Sequence, residues 1–357
     1  MTNTPLTLDR IWNPEEPCPF DEVIDVRSPS EFAEDHVPGA VNLPVLSDDE
    51  RVEVGILYRR DGAFTARRTG AGIVSRNIGR HFETHFAGRP REYRPLVYCW
   101  RGGQRSASMA TVLAAVGWRV TVLKGGYKTY RAHVVSELDA RPPRFAFRLL
   151  AGLTGTAKTR LLHRLAARGE QVLDLERLAN HRGSVLGGMG DQPAQKAFDS
   201  RLLGALAALD PSRPVWLEAE SHRVGEVFLP QSLWTAMKVA GGVEIRMPVA
   251  GRVAHLIEDY AHFVADPESL KRDLSKLHGQ RRLAVWNRLI DAGEWLALVA
   301  DLLETHYDPG YSASLRRSFP HVTEIATLAE ATDSHLDALA AQLAASEVPA
   351  AALAPPR

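Results

Sequence analysis

Twice in this chain an apolar run leads directly into a glycine-containing turn and then into a helical pattern, and this arrangement limits the folds available to it. The first instance is PLVYCWRGGQRS (95–106), and the second is FRLLAGLTGTAKT (147–159). A buried strand followed by a turn and a one-sided apolar helix is the repeating unit of parallel α/β sheets. The sequence therefore predicts an α/β protein that contains two such turns.

The length of 357 residues favours two domains. In the first part we predict strands at 22–26, 40–43, 95–99 and 118–123 and helices at 67–87, 104–116 and 127–138. The segment ARPPR (140–144) has two prolines and marks the boundary. Beyond it we predict a helix from 158, strands at 171–176, 214–220 and 243–249, and helices from about 250 onward. The predicted domains are 1–140 and 145–340, followed by a disordered tail at 345–357.

Composition narrows the function classes only partly. The 43 basic residues balance the 43 acidic ones, so net charge gives no argument for a nucleic-acid partner. Cys18 and Cys99 are the two cysteines, and their separation favours a reducing compartment over a disulfide framework. The N-terminus lacks the pattern of a signal peptide, and no window approaches the ~20 apolar residues of a membrane span. We therefore expect a cytoplasmic protein with no membrane partner.

Cys99 closes the first apolar run, at the mouth of the glycine turn. Backbone N–H groups in such a turn and the dipole of the following helix attract anions, and they lower the pKa of a thiol placed there. The predicted anion loop comprises Trp100, Arg101, Gly102, Gly103, Gln104 and Arg105. A buried structural cysteine is the alternative for Cys99, and the loop glycines and arginines favour a catalytic nucleophile. For Cys18 we expect no catalytic role.

The second turn fits the context of a phosphate-binding P-loop, because it follows a strand and opens a helix. Its predicted phosphate-binding residues are Gly152, Thr154, Gly155, Thr156, Ala157, Lys158 and Thr159. Lys158 would meet phosphate charge, and Thr159 is placed to hold Mg²⁺. Ala157 replaces the usual second glycine, which is tolerable if its φ is below zero. The alternative is a glycine turn without a ligand.

Four acids follow the strands of the second domain. They are Asp174, Glu176, Glu218 and Glu220. Ligands bind at the carboxyl ends of strands in open α/β sheets, so these acids are candidates for a base or for coordinating a metal. Exposed turn acids without a function are the alternative.

Two segments around the first turn resemble rhodanese domains. They are DVRSPSEFAEDHVPGAVNLP (25–44) and LKGGYKTYR (123–131). The resemblance implies that Cys99 carries sulfur or selenium as a persulfide-type adduct. Cysteine, five residues, arginine and serine is also the spacing of cysteine phosphatases, and it suits a tetrahedral anion. A rhodanese-type sulfurtransferase and a cysteine phosphatase, each with a nucleotide-binding regulatory domain, are both open at this point.

The combination of the two domains resembles the tRNA 2-selenouridine synthase family. The resembling blocks are 54–82, CWRGGQRS (99–106), GLTGTAKT (152–159), DLERLANHRGSVLG (174–187), QPAQKAF (192–198) and WLEAESHRVGEVFLP (216–230). The resemblance implies a transferase that converts 2-thiouridine to 2-selenouridine at the wobble position of tRNAs for lysine, glutamate and glutamine. It also implies selenophosphate as selenium donor and an S-geranyl intermediate formed from geranyl diphosphate. Cys99 would receive selenium as an S-selanyl adduct, and the second turn would hold the diphosphate.

A tRNA substrate requires basic residues that contact phosphate groups. The candidates are Arg59, Arg60, Arg67 and Arg68 in the first domain and Lys271, Arg272, Lys276, Arg281 and Arg282 in the second. Charged runs on helices are also common on solvated faces without a partner. We expect no tightly bound cofactor and no metal centre built from protein ligands alone, with Mg²⁺ as an accompanying ion.

Overall fold

A computed structural model describes residues 4–9, 18–184, 186–275 and 280–346. The chain divides into two compact units. The first unit comprises Met1–Glu137 and Pro193–Ala208, and the second comprises Leu138–Gln192 and Leu209–Arg357. The predicted tail at 345–357 lies outside the described residues from 347 onward.

The first unit is built on a parallel sheet of five strands. Its strands are β1 (Leu6–Leu8), β2 (Glu22–Asp25), β3 (Val41–Asn42), β4 (Pro95–Tyr98) and β5 (Thr121–Leu123), in the order β1-β5-β4-β2-β3. Its helices are α1 (Pro29–Glu34), α2 (Asp48–His81), α3 (Gln104–Val116) and α4 (Tyr127–Ala140), which continues past Glu137, where this segment of the unit ends. All four residues of the central strand β4 are buried, as a strand covered on both faces requires.

The helix α3 shows why this sequence packs as it does. Met109, Ala110, Leu113 and Ala114 recur at intervals of three and four residues, and all are buried in the core of this unit. Gly117 ends the helix with a φ of 113°, a conformation that favours glycine. The helix begins at Gln104, so its N-terminus lies immediately after the Cys99 turn.

Two predictions for the first unit were incomplete. The helix predicted at 67–87 is the second half of α2, which begins at Asp48 because Ser47 and Glu50 form a capping box. Gly62 interrupts α2 with a φ of 84°, and a π-helical turn (Phe82–Phe86) follows it. The short edge strand β1, which pairs with β5, was not predicted.

The second unit contains another parallel sheet of five strands. Its strands are β6 (Phe147–Ala151), β7 (Gln171–Leu173), β8 (Val215–Glu218), β11 (Gly242–Arg246) and β12 (Val322–Thr327), in the order β12-β11-β6-β8-β7, and β9 (Arg223–Val224) and β10 (Val227–Phe228) form a separate hairpin. Its helices are α5 (Lys158–Ala167), α6 (Leu175–Ala179), α8 (Gln231–Val239), α9 (Val249–Asp259), α10 (Ala261–Ala265), α11 (Pro267–Leu274), α12 (Gln280–Asp291), α13 (Trp295–Leu302), α14 (Asp308–Ser318) and α15 (Asp333–Ala345). The predicted α/β fold class is confirmed. Within the described ranges, no helix is both long and apolar enough to cross a membrane.

Helix α7 (Gln195–Ala207) lies in sequence within the predicted second domain, yet it belongs to the first unit. The Asp199 carboxylate on this helix pairs with Arg131, and the Ser200 hydroxyl donates to Asp35 at 3.0 Å. Its buried face includes Phe198 and Leu202. The first unit is therefore discontinuous in sequence.

Two further corrections concern the second unit. The strand predicted at 171–176 ends at Leu173, because Asp174 accepts a hydrogen bond from the amide of Arg177 and caps α6. The helical pattern predicted from 250 onward is interrupted by β12, which pairs with β11.

Candidate active sites

The first site is the turn between β4 and α3. Cys99 follows β4, and only 3% of its surface is exposed. Its Sγ accepts hydrogen bonds from the Ser106 hydroxyl at 3.2 Å and from the backbone N–H of Gly103 at 3.3 Å. Two donors therefore converge on this sulfur, which lies just before the N-terminus of α3.

The rhodanese-like closing segment 123–131 fixes the shape of this turn. The amide of Tyr127 donates to the carbonyl of Cys99 at 2.8 Å, and the amide of Lys128 donates to the carbonyl of Trp100 at 3.2 Å. A methyl group on Gly126 would lie 2.1 Å from the Cys99 carbonyl oxygen. The glycine pair in LKGGYK therefore allows two backbone segments to touch beneath the nucleophile.

The two arginines of the loop differ in their surroundings. Arg101 is exposed, whereas Arg105 donates to Glu31 at 2.6 Å. Arg51 also pairs with Glu31, at 3.0 Å, and the two arginines hold the pKa of the Glu31 carboxyl below its usual range despite its burial. Glu31 thereby orients Arg105. An anion bound in the turn would contact the Arg105 guanidinium together with Glu31.

An aromatic group lies beside the cysteine turn. Trp100 stacks on Tyr127 with ring centroids 5.3 Å apart, and the guanidinium of the buried Arg27 lies 4.1 Å from the centre of the Tyr127 ring. Lys196 of α7 places its ammonium group 5.6 Å from the Trp100 ring. Arg27 is also paired with the buried Asp25 at 2.6 Å. Asp25 and Arg27 of the DVR sequence therefore support the aromatic group beside the Cys99 turn. Helix α7 adds a cation, Lys196, that was not identified from the sequence.

The second site is the turn between β6 and α5. Gly152 has a φ of 149°, and a methyl group there would lie 2.6 Å from the carbonyl oxygen of Ile245. The ammonium group of Lys158 donates to the carbonyl of Gly152 at 2.9 Å, so the side chain lies back across the loop. The buried Arg252 donates to the carbonyl of Thr154 at 2.8 Å and is itself held by Asp308. The loop is therefore held in shape from outside by an arginine, and phosphate binding at this loop stays a prediction.

The condition placed on Ala157 is not met, because its φ is +58°. A residue other than glycine enters this left-handed region at a cost of about 1 kcal/mol. The Ala157 methyl is buried in the hydrophobic core with Leu161 and Leu165. Its burial offsets part of the strain, and the backbone keeps the shape that glycine would give.

Three glutamates gather beside this loop. The pKa of Glu176 is raised to about 8 by burial and by the neighbouring Glu220. Burial raises the pKa of Glu218 and of Glu220 as well, and Lys158 partly counteracts this at Glu220. Both carboxylate oxygens of Glu218 are buried without a hydrogen-bond partner. Burial, the largest cause at all three groups, therefore favours the protonated form of these carboxyls.

Of the four candidate acids, Glu218 ends β8 and Glu220 follows it, as predicted, whereas Asp174 and Glu176 lie at the start of α6. Glu176 lies on α6 and accepts from the hydroxyl of Thr159 at 3.0 Å. Asp174 caps α6 and accepts from His163 at 2.7 Å. Glu176, Glu220 and Asp174 line a cavity of about 750 Å³ with the P-loop, whereas Glu218 does not line it. Across the described ranges, no group of three or more His, Cys, Asp or Glu side chains is arranged to hold a metal ion.

The block 174–187 supplies cavity residues that motif analysis did not assign. Arg182 donates to the carbonyl of Asp259 at 3.0 Å and lies 4.7 Å from the ring centre of Tyr260. A methyl group on Gly183 would lie 2.4 Å from a carboxylate oxygen of Glu220. His163, Arg160 and His255 also line the cavity. They lie on two helix faces and carry no local motif, so only the fold identifies them.

The predicted tRNA contacts divide into two classes. Arg59, Arg60, Arg67 and Arg68 are exposed on α2, and of these Arg60 pairs with Asp61 at 2.8 Å. In the helical part, Lys271 bridges Glu268 and Asp291, Arg272 lies 3.9 Å from Asp266, and Arg282 pairs with Asp301 at 3.0 Å. Arg281 is exposed, and Lys276 lies outside the described residues.

Comparison with known families identifies both units. Residues 7–133 match the family described as "Rhodanese-like domain", and residues 145–284 match "tRNA 2-selenouridine synthase AAA domain".

Three curated relatives carry the same name, tRNA 2-selenouridine synthase. The protein from Nitrosomonas europaea is 37% identical over 67% of this chain and 63% of its own length. The protein from Hydrogenovibrio crunogenus is 32% identical over 83% of this chain and 89% of its own length. The protein from Shewanella loihica is 30% identical, over 84% and 88% respectively.

Proposed function

We propose that this chain, which belongs to the tRNA 2-selenouridine synthase family, replaces the 2-sulfur of a tRNA uridine with selenium. The observation that carries the proposal is that one member of that family holds two strand–turn–helix sites of the kind that binds anions. One contains the hydrogen-bonded thiol of Cys99, and the other is the phosphate loop of Lys158. A sulfurtransferase or phosphatase would account for the first site alone.

In the first step of the proposal, the 2-sulfur of the uridine attacks the first carbon of geranyl diphosphate. The carbon–oxygen bond breaks, its electron pair leaves with diphosphate, and the base loses its N3 proton. Lys158 and the loop amides would stabilise the charge that develops on the diphosphate. Alkylation makes the sulfur a good leaving group, since it can then depart as geranyl thiol.

Mg²⁺ fits the residues beside the loop. Hard oxygen donors suit this ion, and Thr159 and Glu176 present a hydroxyl and a carboxylate that already lie 3.0 Å apart. Burial raises the pKa of Glu176 and Glu220, and the neighbouring Glu220 adds to this at Glu176, so a divalent cation beside them would favour their ionised forms. When bound, the ion would add charge stabilisation for the departing diphosphate, and the two residues would hold it.

In the second step, Cys99 acts on selenophosphate. An S-selanyl cysteine, the adduct implied by the rhodanese resemblance, holds selenium two electrons above selenide and needs a reductant. Attack of the Cys99 thiolate on phosphorus avoids that requirement, since the phosphorus–selenium bond breaks and selenium leaves as hydrogen selenide. The selenide then displaces geranyl thiol at C2 of the base, and water hydrolyses the S-phosphocysteine. We propose this second route because the loop has the spacing of the cysteine phosphatases.

The tRNA partner is proposed to contact α2. Of the four candidate arginines on this helix, Arg59, Arg67 and Arg68 have no ion pair in the described structure. The exposed Tyr58 and Phe64 on the same helix add surfaces on which bases stack. Lys271, Arg272 and Arg282 are already paired with acids and would have to break those pairs. The proposed acceptors are the tRNAs for lysine, glutamate and glutamine, and the proposed location is the cytoplasm, where mature tRNA and reduced thiols coexist.

The proposal can be tested with purified protein and a 2-thiouridine anticodon stem-loop. Geranyl diphosphate alone should yield the S-geranyl base, and the further addition of selenophosphate should yield 2-selenouridine, both measured by mass spectrometry of nucleosides. Lys158→Ala should lose both products. Lys238→Ala, which alters a lysine that does not line the cavity, should keep both. Retention of S-geranyl product in Lys158→Ala would contradict the assignment of the loop.

A further inference from the structure

A second, apolar cavity opens beside the phosphate loop. Its inner wall consists of leucines from α11, α13 and the π-helical turn at Leu303–Tyr307. Leu270, Leu298, Leu302 and Leu303 form this wall, and each is at most 5% exposed. They belong to the helical part of the second unit, which has a hydrophobic core of its own.

The apolar cavity and the phosphate cavity share their mouth. Thr154, Ser184, Leu256, Tyr260 and Tyr307 line both. A methyl group on Gly155 of the loop would lie 2.8 Å from Leu256 Cδ1, so the backbone of the phosphate loop rests directly on the apolar wall. Tyr260 Oη and Ser184 Oγ lie 3.3 Å apart, and the two hydroxyl groups satisfy each other at the rim. A ligand that fills both spaces must therefore join phosphate to an apolar group.

We propose that the apolar cavity holds the end of the prenyl tail while the loop holds the diphosphate; this inference rests on the proposed function. A nucleoside fits poorly, because its ribose and base carry polar atoms that this wall cannot satisfy. A branched hydrocarbon has no such atoms, and its burial contributes ~0.8 kcal/mol per methylene. The cavity thereby selects a prenyl diphosphate over a nucleotide in a P-loop domain.

The size of the cavity limits the length of the tail. Its volume is about 70 Å³, whereas a cavity of ~150 Å³ accepts a benzene ring. Only the last few carbons of a ten-carbon chain fit behind the rim, and the remainder lies in the shared mouth. A fifteen-carbon tail would require a deeper cavity.

The test is a competition between geranyl and farnesyl diphosphate for a 2-thiouridine stem-loop, with the two S-prenyl products quantified in one sample. The wild-type protein should favour the geranyl product. Leu298→Ala should raise the farnesyl-to-geranyl ratio about tenfold, which corresponds to about 1.4 kcal/mol. Val299→Ala alters a half-buried residue of the same cavity and should shift the ratio in the same direction by less. Leu339→Ala removes a buried leucine from the core between α5 and α15 and should leave the ratio unchanged.

The outcomes separate the inference from the function on which it rests. If the wild-type protein forms no S-prenyl product at all, the proposed function fails. If it prenylates the RNA but neither Leu298→Ala nor Val299→Ala changes the product ratio, the tail site is wrong. Geraniol, which has the tail without the diphosphate, should compete with geranyl diphosphate, and adenosine should not. Competition by adenosine but not by geraniol would also overturn the tail site.

Discussion

Replacing Glu176 with glutamine should make the stability of the protein less sensitive to pH. Glu176 is 9% exposed and lies beside Glu220, and these surroundings raise its pKa from 4.5 to about 8. A carboxyl with a raised pKa in the folded state binds its proton more tightly there than in the unfolded chain. Its stabilising contribution is complete below pH 4.5 and is lost as the pH rises toward 8.

The expected magnitude follows from that difference. One pKa unit corresponds to ~1.4 kcal/mol, and the free energy of unfolding should fall by about this amount for each pH unit across this window. The total for Glu176 is roughly 5 kcal/mol. The amide oxygen of glutamine can still accept from the hydroxyl of Thr159, so the change removes the titration and keeps the hydrogen bond.

Urea unfolding followed by circular dichroism, from about pH 5 to about pH 8, measures the effect. The wild-type protein and Glu176→Gln should have similar stability at the acidic end, and the variant should be the more stable one at the basic end. Glu330→Gln, which alters an exposed acid, should follow the wild-type curve. Equal pH slopes for the wild type and Glu176→Gln would refute the raised pKa of Glu176.

Three further predictions concern the two loops. Gly126→Ala should lower the free energy of unfolding by at least about 2 kcal/mol and stop selenium incorporation, because its methyl would meet the Cys99 carbonyl. Gly39→Ala is the control, since Gly39 has a similar φ of 78° but open space around it; thermal unfolding should show a loss of only about 1 kcal/mol. Arg105→Lys should lower the rate of 2-selenouridine formation about tenfold at limiting selenophosphate. Lysine lacks the forked guanidinium group that can contact Glu31 and an anion at the same time. The rate of S-geranyl formation should not change. Added Mg²⁺ should raise the thermal unfolding temperature of the wild type in the presence of diphosphate but have a smaller effect on Thr159→Val, and equal shifts would contradict a Thr159 ligand.

The two turns were predictable because each carries a local signal. Cys99 and Lys158 both stand where an apolar strand becomes a glycine turn, and the elements β4, α3, β6 and α5 lie close to their predicted positions. The edge strands β1 and β12 were missed, because both gain stability from pairing with a neighbouring strand, which local sequence does not report. Helix α7 was grouped with the wrong unit for a similar reason, since its hydrogen bonds to Asp35 and Arg131 join residues far apart in sequence.

The surroundings of the acids were less predictable than their presence. Glu176 was expected at a strand end, but the cap formed by Asp174 starts a helix earlier. Arg252 supports the phosphate loop from α9, and nothing in its local sequence distinguishes it from a surface arginine. The left-handed conformation of Ala157 was likewise not expected, because the cost of that conformation is met by packing of its methyl in the core.

The central claim is that Cys99 releases selenide from selenophosphate, and that the selenide reacts with a base already alkylated at the second site. Nucleoside analysis of tRNA from cells lacking this protein, complemented with the wild type, Cys99→Ala or Cys18→Ala, tests it most directly. Cys18 is exposed and serves as the matched control, whereas Cys99 is buried beneath its loop. The account predicts that Cys99→Ala abolishes 2-selenouridine while S-geranyl-2-thiouridine persists or accumulates, and that Cys18→Ala behaves as the wild type. Normal 2-selenouridine in the Cys99→Ala cells would contradict it.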